Sequence, residues 1–293
     1  MAAPKKAKST KSGLQNLDKL STIAGEVVAE LSGKAPDLSD ARKLRGRLDK
    51  IARALALVSE NLDPTRRPAS IFNPSNPAHV GRFIALTMIA QDRTPLANLE
   101  KFYGAGVYAI YYVGSFTAYR PIARTEHPIY VGKADPVDEK AVNAIHQGTK
   151  LWDRLNEHRK SISKANSLDL ADFECRFLVV ASGYQNAAEE YLINLFRPIW
   201  NNEVKLAFGI GKHGDAPTTR VNKRSPWDTL HPGRNWAAGT LADQKPVALI
   251  ETELTKHFAD ARPYKNLKDI FSRFMSEMRQ LPTVQKPGEN ATK

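Results

Sequence analysis

Hydrophobic residues recur at helical spacing in two runs near the start of the chain, at positions 14–31 and 44–58. Gly33 and Pro36 separate the runs, and either Asp37 or Ser39 can cap the second one. The pattern predicts a helical hairpin over residues 13–60. Apolar stripes of this kind are more typical of a structural or oligomerising arm than of direct DNA contact.

The middle of the chain mixes strand and helix periods. A linker rich in Pro, Asn and Ser and then a short helix at 79–91 fill residues 61–103. The order of the next elements favours an α+β fold, with a small, mainly antiparallel three-stranded sheet flanked by helices. The predicted strands are 107–113, 128–131 and 173–180, and the predicted helices are 149–164 and 186–197.

The ends of the chain have a different composition. Residues 1–12 form a basic tail, and residues 203–240 are rich in Gly, Pro and basic side chains without a clear period. A stretch of this length is typical of a functional loop or of disorder. Helical spacing resumes at 247–258 and 267–278 within the last segment, 241–293.

The net charge and the cysteine content limit the classes of function that the chain can have. Lys and Arg number 43 against 31 Asp and Glu, for a formal net charge of +12 and a pI near 9.7, which favours a polyanionic partner such as nucleic acid. Cys175 is the single cysteine, which excludes an intrachain disulfide and a Cys-based metal knuckle and fits a reducing cytoplasm. No stretch approaches the roughly twenty apolar residues that span a bilayer, so no membrane association is expected.

Two short glycine and tyrosine motifs fall on the predicted strands. Gly106 and Tyr108 form a Gly-x-Tyr motif, and Tyr130 and Gly132 form a Tyr-x-Gly motif. A second Tyr-x-Gly begins at Tyr112, but that residue lies on the same predicted strand as Tyr108. Tyr130 can lie on the strand that pairs with Tyr108, and we therefore prefer it.

Polar residues also recur on the predicted helices. Arg154 and His158 are four residues apart and share a face. Glu189 aligns with the apolar side of its helix, whereas Glu190 aligns with the polar side, which selects Glu189 as the inward carboxylate. A buried acid is costly unless it is paired or binds a metal. Glu189 is therefore either a metal ligand or the partner of a nearby arginine.

Taken in order, the two tyrosine motifs, Arg154, His158, and Glu189 followed by Pro198 and Asn201 resemble the GIY-YIG nuclease superfamily. The resemblance implies a catalytic core over residues 104–202. Residues 225–228 (Ser-Pro-Trp-Asp) and 230–234 (Leu-His-Pro-Gly-Arg) are similar to a loop of its type II restriction endonuclease branch that cleaves CCGCGG. Two departures are a valine in place of each namesake isoleucine and a longer loop between the two tyrosine motifs.

The resemblance implies phosphodiester hydrolysis with one Mg²⁺ per active site, held by Glu189 and by water, because Mg²⁺ keeps much of its hydration. Tyr108 is expected to be a general base or water-orienting group, activated by Lys133 or by His158. Tyr130 would contact water or phosphate, and Arg154 would contact the transition-state oxygens. Asn201 would fix local geometry and contact a phosphate.

The expected substrate is double-stranded DNA, with bases contacted from the 203–240 segment. Cutting both strands of a palindrome suggests a homodimer or a larger homo-oligomer, and a restriction enzyme implies a cognate DNA methyltransferase as its genetic partner. The alternatives are a GIY-YIG nuclease of repair or mobile-element type and a catalytically silent DNA-binding module. The candidate DNA contacts are Lys205, Lys212, Arg220, Lys223, Arg224 and Arg234.

Overall fold

The structure is a computed structural model that describes residues 10–32, 37–62, 65, 71–211, 223–240 and 242–279. The described residues divide into two units, one formed by residues up to 65 and the other by residues 71–279. Within these ranges no helix is both long and apolar enough to cross a membrane.

The first unit contains the two predicted helices, α1 (Thr10–Leu31) and α2 (Leu38–Leu62). Asp37 caps α2, because its Oδ1 accepts hydrogen bonds from the backbone N–H groups of Ser39 at 2.8 Å and Asp40 at 2.9 Å. The apolar stripes stay open to solvent: Leu17 is 52% exposed and Ile51 is 53% exposed.

The second unit holds the remaining helices and strands of the described chain. Short 3₁₀ turns at Leu96–Asn98, Thr117–Tyr119 and Leu170–Asp172 connect some of them. Its elements are α3 (Pro77–Ile89), β1 (Thr94–Pro95), β2 (Gly106–Tyr112), β3 (Tyr130–Ala134), α4 (Lys150–Ile162), β4 (Phe173–Val179), α5 (Gln185–Phe196), β5 (Lys223–Arg224), α6 (Pro226–Leu230), α7 (Asn235–Ala238), β6 (Ala242–Asp243), α8 (Val247–Asp260) and α9 (Leu267–Arg279).

The main sheet of the second unit has four antiparallel strands, in the order β1-β4-β2-β3. The prediction of three strands was therefore wrong by one. The extra strand, β1, has two residues, too few to show an alternating pattern, and pairs only with Glu174 and Cys175. Pro95 lacks a backbone N–H and is tolerated there because β1 lies at the sheet edge.

Strand β2 is buried on both faces, and its alternation assigns its side chains to two core layers. Tyr108 and Ile110 face a layer that includes Leu151 and Leu155 of α4. The alternate residues Val107, Ala109 and Tyr111 face a layer that includes Leu192 of α5. The sheet is thus covered on both sides, and Tyr108 is held on the side of α4.

Most of residues 225–234, part of the predicted loop, are buried, although Pro232 and Gly233 are exposed. Trp227 is fully buried, and Ser225 caps α6 by accepting the N–H of Asp228. His231 is also buried: its Nε2 lies 2.5 Å from the Tyr119 hydroxyl and its Nδ1 lies 2.7 Å from Ser167 Oγ. Burial lowers the pKa of His231 to about 3, so this imidazole is neutral at physiological pH.

Candidate active site

The two tyrosine motifs lie on neighbouring strands, in a register that pairs Tyr108 with Gly132 and Ile110 with Tyr130. A Cβ added to Gly132 would lie 2.6 Å from the Tyr108 hydroxyl, so only glycine lets that phenol cross the strand. A Cβ on Gly106 would lie 2.0 Å from the carbonyl oxygen of Leu178 on β4. Both motif glycines therefore permit close approach around β2.

Tyr108 is hydrogen-bonded to His158 of α4, with 2.8 Å between the phenol oxygen and Nε2. The His158 ring also lies 4.6 Å from the Tyr130 ring, measured between centroids. Tyr108 is completely buried, whereas Tyr130 borders a cleft. Of the two phenols, it is Tyr130 that reaches the solvent side.

Burial raises the pKa of Tyr108 well above its usual value, and Tyr130 raises it further. Burial likewise raises the pKa of Tyr130. The positive charge of Arg154 opposes both increases. In the resting protein both tyrosines are therefore neutral phenols.

Arg154 lies one helical turn before His158 on α4, as their spacing predicted. Its side chain is 43% exposed, and Nη1 lies 2.9 Å from Glu157 Oε2. An exposed pair of this kind contributes little stability, on the order of 0–1 kcal/mol. The guanidinium can therefore turn to another anion at small cost.

Glu189 faces the cleft from α5, while Glu190 is exposed and lies outside the set of cleft-lining residues. Burial raises the pKa of Glu189 to about 7, nearby Glu203 and Asp135 raise it further, and Lys133 lowers it. Close to half of this carboxyl is protonated at neutral pH, and a cation placed beside it would favour the ionised form.

Lys133 follows the Tyr-x-Gly motif on β3. Its Nζ lies 2.8 and 2.7 Å from the two carboxylate oxygens of Asp135. The cleft has a volume of about 640 Å³. It is lined by Tyr130, Lys133, Ala134, Asp135, Lys150, Asp153, Arg154, Asn156, Glu157, Lys160 and Glu189.

Asn201 is hydrogen-bonded to the backbone of β3. It is buried, its Oδ1 accepts the Val131 N–H at 3.0 Å, and its Nδ2 donates to the Val131 carbonyl at 2.9 Å. Both ends of the amide are occupied by one residue of β3. This geometry makes Asn201 a support for the strand that carries Tyr130.

Comparison with protein-family models matches residues 100–258, more than half of the chain, to the Eco29kI GIY-YIG domain, which defines a restriction endonuclease family. The chain belongs to the Eco29kI GIY-YIG family. Membership identifies it as a nuclease of the GIY-YIG restriction type that acts on DNA. A search of curated proteins gave no match.

The Eco29kI family match covers strands β2, β3 and β4 of the main sheet together with α6 and most of α8, which agrees with their shared core. A bound metal ion can assist phosphodiester hydrolysis. Among the described residues no cluster of three or more His, Cys, Asp or Glu side chains could hold an ion. One carboxylate, that of Glu189, in a cleft with room for water fits Mg²⁺, which needs few protein ligands.

The candidate DNA contacts outside this cleft have varied positions. Lys205 and Lys223 are exposed, and Lys212 and Arg220 lie outside the described residues. Arg224 is 34% exposed and its Nε lies 2.6 Å from Asp243 Oδ1. Of the four described candidates, Lys205 and Lys223 are thus the lysines whose side chains are exposed.

For Arg234 the structure corrects the prediction. Its side chain is 3% exposed, its Nε lies 2.7 Å from Asp228 Oδ1, and its two terminal nitrogens donate to the carbonyls of Gly209 and Ile210. Basic character among glycines suggested a base contact, but the neighbouring tryptophans, Trp227 and Trp236, bury the guanidinium. Arg234 therefore has a structural role and holds its segment of the chain against the core.

Arg234→Met should therefore lower the free energy of unfolding by about 3–5 kcal/mol, because it leaves the buried Asp228 carboxylate without its cation. Urea denaturation at pH 7 measures this change. Arg224→Met is the matched control, since it removes an arginine from a half-exposed pair with Asp243 and should cost at most about 1 kcal/mol. Equal losses in the two variants would contradict the assignment of Arg234.

The sequence did not suggest two residues beside Lys133. Asp135 binds the ammonium, and Gln185 Nε2 donates to Asp135 Oδ1 at 3.0 Å. The sequence contained a weak indication of both residues. Asp135 follows Lys133 by two residues and Gln185 precedes Glu189 by four, so the two side chains of each pair share a face.

Proposed function

We propose that this Eco29kI-family protein is a site-specific type II restriction endonuclease that hydrolyses double-stranded DNA with one Mg²⁺ per active site, at a GC-rich palindrome such as CCGCGG. The observation that carries the proposal is the hydrogen-bonded Tyr108 and His158 pair beside a cleft that also contains Tyr130, Arg154 and Glu189. In these roles His158 is the proton acceptor, Arg154 is the cation for phosphate, and Glu189 is the metal ligand.

Glu189 is the proposed metal ligand. A purely structural acid would be paired with an arginine, yet in the described part of the chain Glu189 takes part in no ion pair within 4.0 Å. Burial raises the pKa of Glu189, and the positive charge of Lys133 offsets only part of that increase. Mg²⁺ bound there would act as a Lewis acid that stabilises charge on the phosphate and on the leaving oxygen.

Proton transfer runs through the phenols to His158. Because Tyr108 is completely buried and Tyr130 borders the cleft, the proton of the attacking water reaches Tyr108 through the Tyr130 hydroxyl. Tyr108 passes its own proton to His158 Nε2, 2.8 Å away, when the imidazole is in the tautomer that leaves this nitrogen unprotonated. This contact favours His158 over Lys133 as the activating residue, since Lys133 is bound to Asp135.

Arg154 is the proposed phosphate contact. Its guanidinium has donors in a fixed plane that match phosphate oxygens, and its contact with Glu157 is exposed enough to be exchanged. Lys150 and Lys160 extend the positive rim of the cleft along α4. Contacts of this kind position the DNA backbone and leave the reading of bases to other segments.

Cutting both strands of a palindrome requires two active sites, and a two-fold homodimer supplies them. The open apolar stripes of α1 and α2 support an assembly role for the first unit, because exposed patches of this kind are typical of interaction surfaces. A restriction role also entails a cognate DNA methyltransferase that protects the host DNA.

A mapped digest of a sequenced plasmid tests the proposal. Purified protein with Mg²⁺ should give discrete fragments whose ends fall within one repeated GC-rich palindrome, and excess chelator should stop the reaction. A smear or nicking at scattered sequences would favour a repair or mobile-element nuclease. Intact plasmid, together with a band shift, would favour a catalytically silent DNA-binding module.

A further inference from the structure

The end of β3 is tied to the start of α5 by three polar side chains. Lys133 donates to both oxygens of Asp135, and Gln185 Nε2 donates to Asp135 Oδ1 at 3.0 Å. Gln185 is 5% exposed, and its Oε1 accepts the N–H of Gly183 at 3.0 Å. With both ends of its amide engaged, Gln185 holds Asp135 in one orientation.

The backbone sets this arrangement. Lys133 and Asp135 are two residues apart where β3 ends, so their side chains leave the chain on the same face. Gln185 is the first residue of α5 and lies one turn before Glu189, on the same side of the helix. The chain of contacts therefore connects the lysine beside the Tyr-x-Gly motif to the helix that carries the proposed metal ligand.

We propose that Asp135, held by Gln185, is a positioning residue of the nuclease that fixes the Lys133 ammonium at the edge of the cleft, ready to bind the substrate phosphate. An ammonium has three N–H donors. The two Asp135 oxygens take two of them. The third is left for DNA. This inference rests on the proposed nuclease function and adds two residues to its machinery.

Immobilising Lys133 has a physical benefit because a free lysine side chain has rotamer entropy that is otherwise lost when it binds phosphate. The Asp135 side chain is 58% exposed, so its ion pair contributes little to folding. Burial raises the pKa of Asp135, but the hydrogen bonds from Lys133 and Gln185 together outweigh this effect and hold the pKa below its usual range. A positioning role thus predicts a loss of rate with little loss of stability.

A double-mutant cycle on plasmid cleavage tests the proposal. Asp135→Asn should reduce kcat about tenfold, with KM changed less than about twofold, because a misplaced group is felt mainly in the transition state. Lys133→Met should lose at least as much activity. The double variant should be no slower than Lys133→Met, because Asp135 acts through Lys133. Asp135→Glu, which keeps the carboxylate, should recover part of the rate.

Asp138→Asn is the matched control. Asp138 lies three residues further along the same loop and caps the Lys140 N–H at 2.9 Å without contacting Lys133. Its removal changes the net charge equally and should leave kcat at the wild-type value. Thermal unfolding of all variants should agree within a few degrees, which separates positioning from a general loss of structure.

Several outcomes would overturn the inference. Wild-type kcat in Asp135→Asn, or additive losses in the double variant, would show that Asp135 does not act through Lys133. A lower KM in Asp135→Asn would show that Asp135 withholds the lysine from DNA. Failure of the wild-type protein to cut any DNA would instead count against the proposed function, and NMR of the Lys133 ammonium would then still report whether Asp135 immobilises it.

Discussion

Glu189→Gln is expected to reduce DNA cleavage about a thousandfold, equivalent to roughly 4 kcal/mol of transition-state stabilisation, while DNA binding persists. The amide keeps the size of the side chain but is a poor ligand for Mg²⁺. Single-turnover cleavage of an end-labelled duplex measures the loss, and fluorescence anisotropy with Ca²⁺ in place of Mg²⁺ measures binding. Cleavage within tenfold of the wild type would remove Glu189 from the metal site.

Glu190→Gln is the control for this prediction. Glu190 is the next residue on α5, but it is exposed and borders a different surface from the catalytic cleft. The substitution makes the same chemical change and should leave the rate within about twofold of the wild type, as is usual for exposed substitutions. A comparable loss in both variants would indicate an effect on the helix as a whole.

The wild type and Glu189→Gln are also expected to differ in how their free energy of unfolding depends on pH. The pKa of Glu189 is raised from its usual 4.5 to about 7, so its favourable contribution to folding is fully present below pH 4.5 and is lost as the pH rises through 7. Glutamine has no such titration. In the presence of chelator, the urea midpoint of the wild type should therefore fall relative to that of Glu189→Gln between pH 5 and pH 8.

Tyr108→Phe and His158→Ala are each expected to reduce cleavage by about a hundredfold or more, the usual contribution of a general acid or base. The two groups share one hydrogen bond of 2.8 Å and one proton path, so the double variant should be little slower than either single variant. Single-turnover rates at saturating protein measure all three. Near-normal cleavage by either single variant would exclude that residue from the proton path.

Tyr112→Phe is the matched control on the same strand. The Tyr112 hydroxyl accepts the Phe116 N–H at 2.7 Å and takes no part in the contact between Tyr108 and His158. Its removal costs a part-buried hydrogen bond, typically about 1 kcal/mol of stability. Cleavage should stay close to the wild-type rate. A large loss in Tyr112→Phe would show that the core tolerates no missing hydroxyl, whatever its position.

Local periodicity predicted most of the core. The strand that carries Tyr108 and the helices that carry His158 and Glu189 lie within one or two residues of their predicted bounds. Periodicity also separated Glu189 from Glu190, because two adjacent helical residues point about 100° apart. These features depend on neighbours close in the chain, which a single sequence displays directly.

Features that depend on distant parts of the chain could not be predicted in this way. The contact of Asp135 with Gln185 joins residues fifty positions apart. Arg234 looked like a DNA contact because its neighbours in sequence are polar or flexible, yet Trp227 and Asp228 bury it. A better signal was present in Ser225 and Asp228, whose spacing is typical of a capped helix.

The most direct measurement of the central claim is anomalous scattering from Mn²⁺ in crystals of Tyr108→Phe with an uncut cognate duplex. The account predicts one ion about 2 Å from a Glu189 carboxylate oxygen, also in contact with a DNA phosphate that lies in the cleft beside Arg154. An ion bound elsewhere, or a phosphate backbone that passes outside this cleft, would contradict it.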